Sequence, residues 1–316
     1  MVVLVTGCAG FIGSHLTERL LSMGKMVVGI DNFDPYYGFD LKRRNLETAQ
    51  KNPAFKFYAV DLRNKRVLEE VVKNESIDMI VHLAAKAGVR PSITHPLEYE
   101  ESNVLYTLNL LELAAKYGVK HFIFGSSSSV YGVTDKIPFT ETDPADRPIS
   151  PYGASKRSCE LVCHTYSHIY NLPVTCLRFF TVYGPRQRPE MMIHNFTKLI
   201  DEGKEIPLYG DGTTKRDYTY ISDIIDGVIL AMEKKFPYEI INLGDSNTVE
   251  LRKVVSLIEQ NLGKKAKINW LPNQKGDVPL TYADISKAQR LLGYSPKVPI
   301  EEGVAKFVKW YIENKK

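Results

Sequence analysis

Val2-Val-Leu-Val-Thr-Gly7-Cys-Ala-Gly10-Phe11-Ile12-Gly13, near the head of the chain, decides the fold. The apolar run predicts a strand over Val2–Val5, and the periodicity of Phe11–Met23 predicts a helix. Glycine between them permits a tight turn, a close backbone approach to a phosphate, and close packing of helix on strand. The helix N-terminus then offers free N–H groups and positive partial charge to an anion. Asp31 ends the next strand, 18 residues beyond Gly13. A carboxylate there suits ribose hydroxyls and repels a 2′-phosphate, so the pattern predicts NAD rather than NADP. Lys42-Arg-Arg44 complicates this, because such a run could meet a 2′-phosphate. It reads more simply as a solvated helix face or a contact to the cofactor phosphates.

Outward from that turn, short β-branched runs alternate with helical stretches. Strands are expected at Met26–Ile30, Phe55–Val60, Met79–Leu83, His121–Gly125 and Val174–Phe179. Helices are expected around Val67–Val72, over Ser102–Tyr117 and over Ala154–Ile169. Such alternation implies an α/β fold, a Rossmann-like doubly wound parallel sheet with ligands beyond the carboxyl ends of its strands. Gly7, Asp31, Asp61, Ala84 and Ser126–Ser129 fall there. A polar loop spans Pro138–Pro151, and after Gly184 the pattern loosens. The expected organisation is an NAD-binding domain over 1–183 and a smaller C-terminal α/β substrate lobe over 184–316, with segments exchanged between them. No internal repeat or linker is evident.

The 316 residues are 44% hydrophobic and 25% charged, ordinary for a globular chain, and the net charge of +4 makes no case for nucleic acid. No run approaches the roughly 18 apolar residues of a membrane span, and the N-terminus lacks the basic and apolar regions of a signal peptide. Cys8, Cys159, Cys163 and Cys176 have neither metal nor disulfide-framework spacing, and read as buried reduced thiols of a cytoplasmic protein. His121, His164, His168 and His194 show no metal-like grouping, so no metal is expected. His82 reads as a structural strand-end residue.

Tyr152-Gly-Ala-Ser-Lys156 places a phenol and an ammonium four residues apart, on one helix face. A free phenol, pKa about 10, is a poor base at neutral pH, but a neighbouring ammonium stabilises phenolate and makes a usable acid/base. Ser126-Ser-Ser-Ser-Val-Tyr131-Gly132 puts hydroxyls at the end of the fifth strand. They serve either as caps of a turn or as donors beside Tyr152.

The Gly-x-x-Gly-x-x-Gly spacing resembles the extended short-chain dehydrogenase/reductase superfamily. The likeness runs over essentially the whole chain. His82-Leu-Ala-Ala-Lys-Ala-Gly-Val-Arg90, Ser126–Gly132, Tyr152–Lys156, Arg178-Phe-Phe-Thr-Val-Tyr-Gly-Pro-Arg-Gln-Arg188 and Gly276-Asp-Val-Pro279 are similar to nucleoside-diphosphate-sugar 4-epimerases, above all the UDP-glucuronate 4-epimerase group. The resemblance implies a UDP-sugar substrate and an NAD held through turnover. Tyr152 would take the proton of the sugar 4-hydroxyl as hydride leaves C4, and hydride would return to the other face of a turned 4-keto sugar. It implies Tyr152, Lys156 and Ser127 as the catalytic set. Gly7, Gly10, Phe11, Ile12, Gly13, Asp31, Asn32, Lys42, Asp61, Leu62, Leu83, Ala84, Ala85, Lys86 and Asn103 would serve the cofactor with Tyr152 and Lys156. Ser128, Ser129, Thr181, Arg188, Arg216, Asp277 and Arg90 would serve the substrate, although Arg90 reads almost equally as a solvated loop charge.

Thr181 stands where galactose-type members carry Asn, and Gln274 where they carry a phosphate-binding Arg. Thr181, Ser127 and Ser128 could converge on a carboxylate. A 4-keto uronic acid is a β-keto acid that loses CO₂ when its carboxylate bond aligns with the carbonyl π-system, so a hydroxyl clamp holding it out of alignment would preserve it. A UDP-glucose/UDP-galactose epimerase and a uronate decarboxylase share the cofactor chemistry and remain alternatives. A 4,6-dehydratase needs an acidic pair where this chain has Ser127-Ser128. A non-catalytic NAD-sensing protein would typically lack the Tyr/Lys pair. The resemblance also implies a homodimer through a four-helix bundle of the 102–117 and 154–169 helices, with neither nucleic acid nor membrane as partner.

Overall fold

The computed structural model describes residues 1–134, 136–272 and 279–315, with the backbone alone at Tyr37; Gln274, Lys275 and Asp277 lie outside the described residues. The first half runs β1 (Val2–Thr6), α1 (Phe11–Ser22), β2 (Met26–Asp31), α2 (Phe39–Leu46), β3 (Phe55–Ala59), α3 (Lys65–Asn74), β4 (Met79–His82), α4 (Val89–Thr94), α5 (Pro96–Tyr99), α6 (Tyr106–Lys116), β5 (His121–Ser127), α7 (Pro151–Tyr170) and β6 (Val174–Phe179). The strands that follow are β7 (Thr181–Tyr183), β8 (Glu205–Tyr209), β9 (Lys215–Tyr220), β10 (Tyr238–Leu243), β11 (Thr248–Glu250) and β12 (Lys267–Leu271).

Seven strands form one sheet in the order β10-β6-β5-β4-β1-β2-β3, and every pairing in it is parallel. Along β1, Val3 and Val5 enter one core with Val27, Val81 and Ile123, while Leu4 enters the other with Val28, Ile80 and Phe122. Burial on both faces explains why these strands are apolar throughout rather than alternating. The chain starts at β1, steps outward to β3, then crosses back to β4 on the other side of β1. That reversal opens a crevice at the carboxyl ends of the strands. Two small sheets, β11-β9-β7 and β12-β8, stand beside it, and β10 joins the large sheet from beyond residue 184.

Three elements differ from the sequence expectation. The expected helix over Ser102–Tyr117 opens as π-helical turns, Glu100–Leu105, before α6. The widened turn is held from outside the usual ladder, because the Asn103 carbonyl accepts Thr107 Oγ1 at 2.7 Å and Cys159 Sγ at 3.3 Å. Strand β5 continues through Ser127, and Ser128–Tyr131 form a 3₁₀ turn. Ser126 is therefore a buried strand residue rather than part of a loop. Helix α7 begins at Pro151 rather than Ala154, with proline at its first position and Ser150 Oγ accepting Gly153 N–H at 3.1 Å. Tyr152 thus lies in the first turn of the helix.

Candidate active site

The glycine turn packs as its spacing predicts. Gly7 has φ +70°, and a Cβ there would lie 2.8 Å from the Ala84 nitrogen. A Cβ on Gly13 would lie 2.0 Å from the Gly7 carbonyl oxygen, so only glycine lets α1 approach the turn this closely. Asp31 braces the same turn: its carboxylate accepts Ala9 N–H at 3.2 Å and Phe33 N–H at 2.8 Å, and pairs with Lys42 Nζ at 3.3 Å. Lys42 is buried, whereas Arg43 and Arg44 are exposed. The basic run thus divides into one lysine that neutralises Asp31 and two solvated arginines.

One cavity of about 480 Å³ opens at the switch point. Its wall includes Gly7, Gly10, Phe11, Ile12, Gly13, Asp31, Asn32, Lys42, Leu62, Leu83, Ala84, Ala85 and Lys86 from the first strands. Ser127, Ser128, Ser129, Tyr152, Lys156, Thr181, Arg188 and Arg216 also line it. The size suits a ligand cleft. The glycine cradle, the α1 N-terminus and Asp31 fit a dinucleotide's phosphates and ribose.

Lys156 is 4% exposed, and its ammonium donates to the Gly125 carbonyl at 2.7 Å and lies 4.8 Å from the Phe124 ring centre. Tyr152 stands one turn earlier on α7, edge-on to Tyr99 with ring centres 6.1 Å apart. Ser127 Oγ accepts Ser129 N–H at 3.1 Å, so this hydroxyl both caps the 3₁₀ turn and borders the cavity.

Asp61 and Arg90, expected at the ligand, stand off the wall, as does Asn103, which the resemblance also makes a support of the catalytic loop. Asp61 is taken by Arg63, through bonds of 3.0 and 2.8 Å, and accepts Asn32 Nδ2 at 3.0 Å. The Arg63 bonds hold its carboxyl well below the usual range. Asn103 accepts Lys86 N–H at 2.9 Å and donates to the Lys86 carbonyl at 3.1 Å and to Ser155 Oγ at 2.9 Å. It splints the Leu83–Lys86 stretch to the first turn of α7, where Ser155 Oγ donates to the Tyr152 carbonyl at 2.9 Å. Arg90 sets its guanidinium over the Tyr209 ring at 4.8 Å, joining α4 to β8.

Sequence reasoning missed Tyr36, Tyr99, Met191 and Thr281. The Ala87 carbonyl gathers Tyr36 Oη at 3.0 Å, Tyr99 Oη at 3.2 Å and Arg188 Nη1 at 3.4 Å. Arg188 also pairs with Glu190 at 3.2 Å and reaches Met191 Sδ at 3.3 Å. The turn at Tyr36 is announced locally by Asp34, whose carboxylate accepts Tyr36 N–H at 3.0 Å. The meeting of rings at Ala87 has no local signal. His82 is structural, bonded to Thr6 Oγ1 at 2.7 Å and Thr107 Oγ1 at 3.1 Å, and burial pushes it down to about 3. All four cysteines are unpaired and buried. Among the described residues no cluster of His, Cys, Asp or Glu could hold a metal, and no helix is long and apolar enough to cross a membrane.

A doubly wound parallel sheet, a glycine turn at its switch point and a Tyr-x-x-x-Lys pair beside it define a protein of the short-chain dehydrogenase/reductase type. Within that class the chain belongs to the GDP-mannose 4,6 dehydratase family, whose profile matches residues 4–307. It is 46% identical to the UDP-glucuronate 4-epimerase of Thermodesulfobacterium geofontis over 312 residues, covering 98% of this chain and 96% of that one. The crystal structure of UDP-glucuronic acid 4-epimerase from Bacillus cereus, in complex with UDP-glucuronic acid and NAD, superposes with a TM-score of 0.94 at 39% identity, covering 99% of both chains. The UDP-glucose 4-epimerase of Thermotoga maritima, solved with UDP-glucose, gives 0.92 at 35% identity over 100% of both chains.

Proposed function

We propose that this chain is an NAD-dependent UDP-sugar 4-epimerase that interconverts UDP-glucuronate and UDP-galacturonate. The observation that carries the reading is the make-up of the wall around Tyr152 and Lys156. It includes Ser127, Ser128, Ser129 and Thr181, with Arg188 and Arg216 on the same cavity along with the apolar Phe179, Phe180 and Val182. The carboxylates on that cavity, Asp31 and Asp34, belong to the end of β2 and the loop after it. A wall of donors suits an acidic sugar, and the serine turn holds no acid for eliminating water, which argues against a dehydratase.

When bound, NAD accepts hydride from C4 of the sugar and returns it. Tyr152 takes the proton of the 4-hydroxyl and gives it back once the sugar has turned, and the Lys156 ammonium stabilises the phenolate between those events. Ser127 orients the 4-hydroxyl. Thr181, Ser127 and Ser128 hold the sugar carboxylate out of line with the 4-keto group, with Ser129 as a further donor. Arg216 and Arg188 bind the diphosphate, and Asp277 the uridine end. Asp61 and Asn103 serve the cofactor indirectly, through Asn32 and through Lys86.

In this reading residues 1–183 form the cofactor domain, and 184–316 the sugar-nucleotide lobe, exchanging β10. The enzyme is a homodimer joined through α6 and α7, supported by the exposed Leu105, Leu161 and Ile169 on those helices and the π-helical turn before α6. It works in the cytoplasm, supported by its four unpaired cysteines. UDP-glucose epimerisation is the second reading, favoured by the likeness to the Thermotoga enzyme.

The test is product analysis by NMR after incubation with UDP-glucuronate and with UDP-glucose, each without added NAD. Epimerisation of the first alone is expected, and conversion of only the second overturns the substrate assignment. Thr181→Ala should release CO₂ and form a pentose nucleotide; an unchanged product mixture would remove the carboxylate clamp from the scheme.

A further inference from the structure

Behind the hydroxyl cluster the molecule buries charge. Glu160 is fully buried and Arg178 is 1% exposed. They join through two parallel bonds, Arg178 Nε to Oε1 and Nη2 to Oε2, each 2.8 Å. Ser126 borders the cavity, but its hydroxyl donates to the same Glu160 Oε1 at 2.6 Å. Arg157 adds a bond from Nη1 to Oε2 at 3.0 Å. The Arg178 guanidinium also lies over the Tyr131 ring at 4.6 Å, and the Tyr131 hydroxyl donates to Asn242 Oδ1 at 2.7 Å.

A buried ion pair of this kind is often no more stable than apolar side chains filling the same space. Its position gives it another use. Glu160 follows Lys156 by one helical turn, so both project from one face of α7. Lys156 donates to the carbonyl of Gly125, and Glu160 accepts from the side chain of Ser126. Two successive turns of α7 therefore grip two successive residues of β5. The next residue on β5 is Ser127, which caps the 3₁₀ turn of Ser128 and Ser129, and that turn ends in Tyr131, against Arg178. One carboxylate and one guanidinium thus fix the roll of α7 and the seat of the serine turn together.

We propose that Ser126, Glu160 and Arg178 are positioning residues of the reaction, setting the reach between the Tyr152–Lys156 pair on α7 and the hydroxyls that follow β5. This rests on the proposed function of that site. None of the three touches the reacting atoms; they act through Lys156 and Ser127. The adjustable contact is the Ser126 hydroxyl, since Glu160→Gln would leave Arg178 charged and unpaired in the interior and endanger the fold.

Ser126→Ala and Ser126→Thr separate the hydrogen bond from packing. With kcat and KM measured on UDP-glucuronate and UDP-glucose and normalised to bound NAD, Ser126→Ala should lose roughly ten-fold in kcat. That is less than the ~100-fold of a 1 Å misplacement. KM should stay within about two-fold, because only orientation at the reacting carbon changes. Ser126→Thr keeps the hydroxyl and should recover most of the loss. Crystal structures of both variants give a readout independent of turnover. The Lys156 Nζ to Gly125 carbonyl distance, 2.7 Å here, should exceed about 3.5 Å in Ser126→Ala and stay unchanged in Ser126→Thr. Wild-type kcat in Ser126→Ala, equal losses in both variants, or an unmoved lysine would overturn the proposal. A wild-type enzyme that turns over neither nucleotide would instead overturn the functional reading, and the lysine position would still decide this one.

Discussion

Gly13→Ala tests whether the approach of α1 to the glycine turn builds the cofactor site. The added Cβ would fall 2.0 Å from the Gly7 carbonyl oxygen, 2.8 Å from its carbon and 3.0 Å from Cys8 Cα. All three are backbone atoms, so no side chain can swing aside. Ordinary contact begins near 3.4 Å, and the helix must therefore retreat from the turn by 3.4 − 2.0, about 1.4 Å. Gly7 cannot yield easily, since its N–H donates to the Ile30 carbonyl at 2.8 Å and its carbonyl accepts Gly10 N–H at 2.9 Å. A shift of that size takes the N-terminal N–H groups out of hydrogen-bond reach of the phosphate, and losing such a bond to a charged group costs about 1.5–3 kcal/mol, up to roughly 100-fold in affinity. Overpacking should cost about 1–3 kcal/mol of stability as well. The assay is the NAD content of the purified variant, followed by calorimetric titration with NAD and thermal unfolding. The expectation is a protein that folds, purifies without cofactor and binds NAD up to about 100-fold more weakly. A variant that keeps stoichiometric NAD would refute the reasoning, because it would show that α1 can withdraw without disturbing the site.

Tyr152→Phe should retain NAD and the fold while lowering kcat by roughly 10²–10⁴-fold, read by turnover per bound cofactor; activity near wild type would remove Tyr152 as acid/base. Burial pushes His82 down to about 3, so the folded chain keeps it neutral while the unfolded chain, near about 6.5, gains a proton. The stability it contributes is full above the unfolded value and is lost as pH falls toward the folded one. Asp217, which burial pushes up to about 6, acts in the opposite sense over the same range, so His82 must be isolated by substitution. His82→Asn should shrink the fall in denaturant-measured stability between about pH 6.5 and 4.5 by about 2 kcal/mol, and an unchanged slope would contradict the assignment. Leu161→Lys, at a leucine that is 54% exposed on α7, should convert a dimer to monomer in light scattering; a variant of unchanged mass would move the interface elsewhere.

The parts of the site that the sequence foretold are those whose determinants lie close together along the chain. The strand, the glycine turn and the helix signal one another within residues 2–23, and Tyr152 and Lys156 share one helix. Both are local facts. The residues that moved off the wall did so through competition that no single segment encodes. Asp61 stands at a strand end, as expected, but Arg63 and Asn32 take its carboxylate. Arg90 meets Tyr209, which lies 119 positions further along, on β8. The π-helical turn before α6 broke the expected helix because its widened ladder is held by Thr107 and by Cys159 of α7. Apolar periodicity cannot announce a turn stabilised from a neighbouring helix.

These departures share a pattern. Asp61 and Asn103, off the wall, and Ser126, on it, each bond a group that borders the cavity or carries its acid/base pair. Asp61 holds Asn32, Asn103 holds the backbone of Lys86, and Ser126 holds Glu160 on α7. Asn103 and Ser126 are buried and must find partners, because leaving either unpaired would cost about 1–3 kcal/mol, whereas Asp61 is partly exposed. A bond to the scaffold meets that need before any ligand arrives. The same bonds leave the wall with little freedom to rearrange, so its side chains need not be ordered when substrate binds. Sequence motifs gather both kinds of residue, those on the wall and those that set it. The distinction between them is made by which partner the fold brings within 3 Å, as Asn103 shows by accepting Lys86 N–H and donating to Ser155 Oγ, both at 2.9 Å.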